Sequence, residues 1–362
     1  MNTFELFSGA GGLALGLNQS GFSCSGLLEL NKDACKTLRS NFDLDVFEAD
    51  ASTFDYGVIT KPVKLVAGGP PCQPFSLGGK GKGDTDKRDM FPQAIRAINE
   101  LQPDAFIFEN VKGLLRDSFT TYLEYIILRL RYPLLSIKPK ENWIEHFSRL
   151  EKLKISRVAQ PNEYSVLFRC LNAADYGVPQ KRERVIIVGF RRELNLGWSF
   201  PEPSHSRDSL LFSKFVSKNY WDDNGILPVG EDAEILNKGM LEEKLRKKYG
   251  FFEPTELPWK TIRQTLRDLP EPTEEGYDGL SGHVLKKGAK SYPGHTGSPL
   301  DQPSKALKAG VHGVPGGENT IRLDDGSVRY FTVREAARIQ TFPDWYGFSG
   351  AWGENMRQLG NA

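Results

Sequence analysis

The first residues that could do chemistry lie in Gly68-Gly69-Pro70-Pro71-Cys72-Gln73-Pro74-Phe75-Ser76. Two prolines before Cys72 and one after it stiffen the backbone, and the stretch directly follows the apolar run Val63–Ala67. A rigid turn at the carboxyl end of a parallel strand is where α/β proteins place reactive groups. A thiolate there is a good nucleophile, favoured by nearby cations and backbone amides. A lone cysteine is more often a small buried hydrophobe. That reading suits Cys24, Cys35 and Cys170, whose neighbours are apolar, but not Cys72. The glycine- and cation-rich stretch Gly78–Arg88 follows. It reads as a mobile lid whose Lys80, Lys82 and Arg88, with Ser76, meet phosphates.

A second candidate is Glu109 in Phe106-Ile107-Phe108-Glu109-Asn110-Val111, at the carboxyl end of another apolar run and so at the sheet edge expected for Cys72. A half-buried carboxyl there can hold or donate a proton. Position alone equally allows a helix N-cap, with Asn110 opening the next turn. A third is Gln180-Lys181-Arg182-Glu183-Arg184, immediately before the strand-like Val185–Gly189. In extended chain Arg182 and Arg184 share a side. Two guanidiniums on one side suit a phosphate backbone or a carbonyl oxygen.

Near the amino terminus, Phe7-Ser8-Gly9-Ala10-Gly11-Gly12-Leu13-Ala14 sits between a strand-like and a helix-like run. Gly9-x-Gly11-x-x-Ala14 fits a dinucleotide fingerprint, and Glu29 ends the next strand about 20 residues on. Glu29 is placed to accept from ribose hydroxyls, and Asp50, after Asp45–Glu48, from an adenine amino group. NAD, FAD and S-adenosylmethionine all remain open for this loop.

The elements that must position these groups alternate. Strands are expected at Thr3–Phe7, Ser23–Leu28, Asp45–Glu48, Val63–Ala67, Ala105–Phe108, Ser165–Leu171 and Arg184–Phe190. Helices are expected at Leu13–Gln19, Asp33–Phe42, Phe91–Leu101 and Tyr122–Leu130. That order implies an α/β fold with a parallel sheet covered on both faces. Beyond about residue 191 prolines and glycines become dense and periodicity fades, which reads as a separate loop-rich domain. Helical order returns at Thr332–Thr341 before Pro343. The expected division is 1–190 for catalysis and cofactor, 191–304 for a second domain, and 305–362 returning to the first. Arg131–Arg157 reads as a basic helical insertion, a surface helix pair or an extension of a nucleic-acid footprint.

Composition narrows the classes. The chain has 362 residues, 47 basic and 46 acidic side chains and four scattered cysteines. No C-x-x-C pair occurs, so neither a disulfide scaffold nor a structural zinc site is expected. No apolar run approaches about 18 residues and no secretory leader opens the chain, so no membrane association and a reducing, cytoplasmic setting are expected. A net charge of +1 is poor for a nucleic-acid partner, but it is an average. Residues 101–194 carry 16 basic against 11 acidic side chains.

Taken together, FSGAGGLALGL, PPCQPFS, ENV and QKRER resemble, in order, the cytosine-5 DNA methyltransferase family of bacterial restriction–modification systems. Arg329–Pro343 is similar to the family's late structural motif, and Gly360-Asn361-Ala362 to the start of its last. The resemblance implies a Rossmann-like S-adenosylmethionine-dependent sheet with a smaller target-recognition domain. It implies transfer of a methyl group to C5 of a cytosine flipped out of double-stranded DNA, through a covalent adduct on Cys72. Glu109 would hold the N3 and amino edge, Arg184 the O2 side, and Arg182 the target nucleotide or its phosphate. Gln180 and Lys181 join Ser76, Lys80, Lys82 and Arg88 as expected DNA contacts. The cofactor would lie against Phe7, Gly9, Gly11, Gly12, Glu29, Asp50, Ala51 and Pro71, with Asn361 completing the pocket. No metal is expected. The 191–304 region would read sequence, with Arg207, Arg263, Arg267, His283, Lys286, Lys287 and His295 as candidates. In the family Gly-Asn-Ala leads into a further helix, so either the chain is shortened or a second polypeptide supplies it. A cognate restriction endonuclease is a further expected partner. A tRNA cytosine-5 methyltransferase of the same fold and a non-catalytic DNA-binding relative are the alternatives. A nicotinamide oxidoreductase explains only the glycine loop and Glu29.

Overall fold

The structure, a computed structural model, describes residues 1–71, 89–250, 252–309 and 319–362. Cys72, Ser76, Lys80, Lys82 and Arg88 lie outside the described residues. The chain separates into two compact units: Met1–Leu171 with Glu183–Phe200, and Asn172–Arg182 with Pro201–Ala362.

The first unit is built on β1 (Asn2–Leu6), α1 (Gly12–Gln19), β2 (Ser23–Glu29), α2 (Lys32–Asn41), β3 (Val46–Glu48), β4 (Leu65–Gly68), α3 (Phe91–Leu101), β5 (Ala105–Val111), α4 (Thr120–Arg131), α5 (Trp143–Ser156) and β6 (Tyr164–Asn172). The chain then forms β7 (Gln180–Lys181) in the second unit and returns as β8 (Glu183–Arg191). Seven strands form one sheet in the order β3-β2-β1-β4-β5-β8-β6. The ladders β3–β2, β2–β1, β1–β4 and β4–β5 are parallel. The expectation of a parallel sheet therefore holds for five strands. It fails at β8, which runs antiparallel to β5. Alternating runs signal strands but not direction, and between β6 and β8 lies no α-helix to force a parallel crossover, only one short 3-10 turn at Ala173–Tyr176.

Central strands carry near-continuous apolar runs because both faces are covered. Phe4, Leu6, Val66, Phe106, Phe108, Val185 and Ile187 are buried in one core with Phe91, Ile95 and Ile98 of α3 and Ile126 and Leu130 of α4. The β1–β4 approach demands Gly68, since a Cβ there would lie 2.4 Å from the Leu6 carbonyl oxygen. The basic segment folds as one helix, α5, rather than a pair. Asn142 and Glu145 close its start in a reciprocal capping box. Arg149 is committed to Glu141 and to the Ser136 carbonyl.

The second unit contains β7 paired with β12 (Ser304–Lys305), β9 (His205–Ser206) paired with β10 (Leu257–Pro258), and a three-stranded sheet of β11 (Ser298–Pro299), β13 (Thr320–Arg322) and β14 (Val328–Tyr330). Its helices are α6 (Arg207–Phe215), α7 (Asn219–Asn224), α8 (Gly230–Lys238), α9 (Met240–Tyr249), α10 (Ile262–Leu266), α11 (Val333–Ile339) and α12 (Trp352–Asn361). Among its described residues, the loop-built region expected after residue 191 thus contains five helices. They escape a periodicity reading because they are short and α8 buries no residue at all. Lys214, 1% exposed, ties this part together. It pairs with Asp232 at 2.6 Å and lies over the rings of Phe215, Tyr220 and Trp221.

Candidate active site

The glycine loop follows β1 in left-handed backbone: Phe7, Gly9 and Gly11 have φ of 55°, 52° and 79°. Glycine tolerates this region without strain. The turn closes through Gly11 N–H donating to the Ser8 carbonyl at 2.8 Å. Glu29, at the end of β2, clamps the loop. Its Oε2 accepts from Gly9 N–H and its Oε1 from Asn31 N–H, both at 2.8 Å. A Cβ on Gly9 would meet nothing within 4 Å, so the loop leaves open space above itself. No side chain caps α1, whose first-turn amides follow directly. Asp50, past β3, is exposed and accepts from Ser52 N–H at 2.8 Å, which holds its carboxyl below the usual range. Ala51 is buried and its carbonyl accepts from Arg96.

This arrangement fits an adenosyl cofactor carrying an amino-acid tail. Space over the glycines admits close approach, the helix start suits a carboxylate, and two carboxylates stand at the ends of successive strands for hydroxyl and amino donors.

Beneath the loop lies an acid that the sequence reading did not single out. Glu5 is 2% exposed and its Oε2 has no hydrogen-bond partner. Burial, with the charge of Glu29 second, pushes its carboxyl well above the ordinary range.

At the carboxyl edge of β4 and β5 the second set of groups assembles. Arg184 Nε lies 2.5 Å from Glu109 Oε1, with the two side chains 21% and 33% exposed. The Nε–H is not aligned as a donor there, so charge attraction rather than a directed bond holds the pair. The β5–β8 ladder sets Val111 opposite Arg184 and Glu109 opposite Ile186. A second pair, Lys112 Nζ to Glu183 Oε1 at 2.7 Å, joins the residue after β5 to the start of β8.

Asn110 does not start a helix. It stays in β5, and its Nδ2 donates to the buried Pro70 carbonyl at 3.0 Å. A Cβ on Gly69 would lie 3.4 Å from Glu109 Oε2, so the segment leading to Cys72 passes beside the carboxylate. Its far end returns to the same place, where Met90 N–H donates to the Pro71 carbonyl at 3.0 Å. Asp89 accepts from Phe91 N–H and from the Tyr122 hydroxyl. The sequence offered Asn110 as the opening of a helical turn and gave no sign of its bond to Pro70. The Asp89–Tyr122 contact left no local signal, because 33 residues separate the two.

Several expected contacts are placed otherwise. Arg182 belongs to the second unit, is buried, and donates through Nη1 and Nη2 to the Gly360 carbonyl, each at 3.2 Å. It is not a free guanidinium beside Arg184, because α12 has taken its donors. Gln180 is fully buried. Asn361 ends α12. Gly360 is where it is because a Cβ would come within 2.1 Å of the Ala309 nitrogen. His283 is fully buried, with Nδ1 on the Thr332 hydroxyl and Nε2 on the Pro270 carbonyl. Arg263 is spent on Asp301 and Asp324, and Lys287 is paired with Glu274. Arg207, Arg267 and Lys286 are exposed.

Burial raises the thiol pKa of Cys24, Cys35 and Cys170, that of Cys35 to about 11, which makes them poor nucleophiles. Among the described residues no His, Cys, Asp and Glu side chains cluster as a metal site. No described helix is long and apolar enough to cross a membrane.

The family model for C-5 cytosine-specific DNA methylase matches residues 1–132 and 144–362. Type II methyltransferase M.PspPI of Psychrobacter sp. (strain TA137) is 34% identical, over 99% of this chain and 74% of that protein. Type II methyltransferase M.NgoMIV of Neisseria gonorrhoeae is 32% identical, over 99% of this chain and 92% of its own length. Among solved structures, the S. pombe Dnmt2 methyltransferase superposes with a TM-score of 0.58 at 18% identity, covering 100% of this chain and 94% of that one. That likeness carries the fold, the S-adenosylmethionine-dependent methyltransferase sheet. The family catalyses S-adenosylmethionine-dependent methylation of cytosine C5 in DNA. With the family's model matched along nearly its whole length, the chain belongs to the C-5 cytosine-specific DNA methylase family and is a DNA cytosine-5 methyltransferase.

Proposed function

We propose that the chain methylates a flipped-out cytosine in a specific double-stranded DNA sequence through a covalent bond from Cys72. The observation that carries this reading is the Glu109–Arg184 pair standing beside the backbone that leads to Cys72. Cys72 follows the anchored Pro70 by two residues, about 7 Å of chain at most. The carboxyl of Glu109 meets the N3 and amino edge of the base, and Arg184 meets O2 while orienting Glu109. Charge that develops on the ring is then met by groups already in place. Attack of the thiolate on C6 makes C5 an enamine carbon, nucleophilic enough to accept a methyl group. Loss of the C5 proton and expulsion of the thiolate restore the base. The target lies outside the stack while this happens.

S-adenosylmethionine supplies the methyl group when bound. Glu29 is proposed to accept from its ribose hydroxyls and Asp50 from its adenine, with Phe7, Gly9, Gly11, Gly12, Ala51 and Pro71 against the remainder. Asn361 is the family-derived addition to that set. The region 191–304 is proposed as the sequence reader, its exposed Arg207, Arg267 and Lys286 supported as contacts by exposure alone. Lys181, with Ser76, Lys80, Lys82 and Arg88, is proposed to meet the DNA. A cognate endonuclease is proposed as a partner.

The test incubates the protein with labelled S-adenosylmethionine and duplexes carrying 5-fluorocytosine in random sequence. Fluorine cannot leave as a proton does, so a protein–DNA adduct at Cys72 accumulates and its sites give the recognition sequence. No adduct, with no label on any cytosine, overturns the reading.

A further inference from the structure

The family model matches this chain up to residue 132 and again from residue 144, so residues 133–143 stand outside the family pattern. They form a built turn. Glu141 N–H donates to the Lys138 carbonyl at 3.0 Å, and between the two stand Pro139 and Lys140, the latter with φ of 68°. Proline in second place and left-handed backbone in third are the marks of a type II turn, where glycine or asparagine costs least. Here a lysine holds the strained place.

The acids around the turn face inward and build it. Glu141 accepts from the Lys138 N–H at 2.8 Å and from Arg149 Nε and Nη2 at 2.8 and 2.9 Å. Those bonds, Arg149 first, lower its carboxyl to about 2. Glu145 serves the capping box of α5 and accepts from Asn142 N–H at 2.9 Å. Arg149 also donates to the Ser136 carbonyl, so its guanidinium is spent within the turn. Lys138 and Lys140 are left exposed, and among the described residues neither ammonium meets an acid.

The turn stands near the edge where the candidate active site assembles. Trp143, three residues after Lys140, packs on Tyr122 and Tyr125 with ring centroids 5.8 and 5.5 Å away. The Tyr122 hydroxyl donates to Asp89, and the next residue, Met90, donates its N–H to the Pro71 carbonyl. Three residues span about 11 Å of chain at most, so Lys140 cannot stray far from that chain of contacts. Every residue in it belongs to the first unit. Ammonium groups without an acid partner suit phosphate oxygens, and phosphate contacts fix the position of a duplex.

We propose that Lys138 and Lys140 each hold one backbone phosphate of the substrate DNA beside the flipped cytosine, positioning the duplex without reading its sequence. The proposal rests on DNA as the substrate and adds a contact surface outside the family pattern.

The test measures affinity of the full chain for random-sequence duplex DNA against salt concentration, for the wild type, Lys138→Gln, Lys140→Gln and the double variant. Lys154→Gln, an exposed lysine in the last turn of α5, controls for lost charge alone. Lys138→Arg combined with Lys140→Arg keeps the charge and tests rescue. Thermal melting and S-adenosylmethionine binding confirm each variant's fold. Each lost phosphate contact removes about 0.9 from the slope of log affinity on log salt. Between 50 and 200 mM salt the wild type therefore weakens about 3.5-fold more than either single variant and about 12-fold more than the double variant. Lys154→Gln and the arginine pair keep the wild-type slope. An unchanged slope in the double variant, an equal change in Lys154→Gln, or an arginine pair that behaves as the glutamine pair overturns the contact. So does a slope change on double-stranded RNA with none on DNA. A wild type that methylates DNA while the variants bind it as the wild type does sinks the contact alone. A wild type that neither binds nor methylates DNA sinks the parent reading and the contact with it.

Discussion

Asn110 holds Pro70: its side-chain amide donates at 3.0 Å to the buried Pro70 carbonyl, joining β5 to the segment that precedes Cys72. Asn110→Ala leaves that carbonyl buried without a donor, at a cost of about 1–3 kcal/mol. The melting temperature should fall, and the single-turnover methylation rate should fall further than stability explains. Asn110→Asp, isosteric but unable to donate when ionised, should be no better than alanine. Wild-type rates in both variants would show that this contact does not position the nucleophile.

Glu109→Gln keeps the shape of the side chain and removes the charge that pairs with Arg184 at 2.5 Å. Methyl transfer should drop about 10²- to 10⁴-fold, the usual worth of a positioned proton-handling group. S-adenosylmethionine binding, measured by calorimetry, should be unchanged. Arg184→Lys should fail comparably, because an ammonium cannot reproduce the flat guanidinium fork.

Cys72→Ala should reduce methyl transfer to background while sequence-specific DNA binding persists. Persistent activity in the alanine variant would require a different nucleophile.

Glu29→Ala removes the acceptor shared by Gly9 and Asn31. Cofactor affinity should weaken by about ten-fold or more, ~1.4 kcal/mol for each factor of ten. Glu29→Gln keeps acceptor capacity on one oxygen and should lie between alanine and wild type.

Glu5 gives a pH dependence of definite sign. Burial, with the charge of Glu29 second, raises its carboxyl well above the value it takes in the unfolded chain. The contribution is full below the ordinary carboxyl value near 4.5 and is lost as pH rises through the raised native value. Stability measured by denaturant should therefore decline across that rise in the wild type. Glu5→Gln, neutral throughout, should show a flatter profile and exceed the wild type on the alkaline side. Parallel profiles would mean that Glu5 ionises without penalty.

The site was legible where chemistry depends on residue order along a strand. Glu29, Asp50 and Glu109 each end an apolar run, and the alternation that marks the run marks its end. Arg184 was legible because it begins one. Contacts between distant elements were not. Arg182 looked like the twin of Arg184, but its donors are taken by a carbonyl 178 residues away. His283 looked like a reader of bases and is a buried joint between Thr332 and Pro270. Of the helices after residue 200, α11 was legible in Thr332–Thr341, whereas α6 to α10 are short, and α8 and α9 bury almost nothing, so tertiary packing rather than pattern holds them.

The reversed direction of β8 decides when the enzyme becomes ready. In a sheet of parallel strands, edge chemistry comes from where strands finish and loops begin. A strand entering from the opposite end delivers its opening residues to that same edge, so Arg184 is part of a ladder and not of a loop. Glu109 thus acquires its cation when the sheet folds. The pair proposed to grip the base edge exists before DNA or cofactor arrives, and its ordering entropy is not charged against binding.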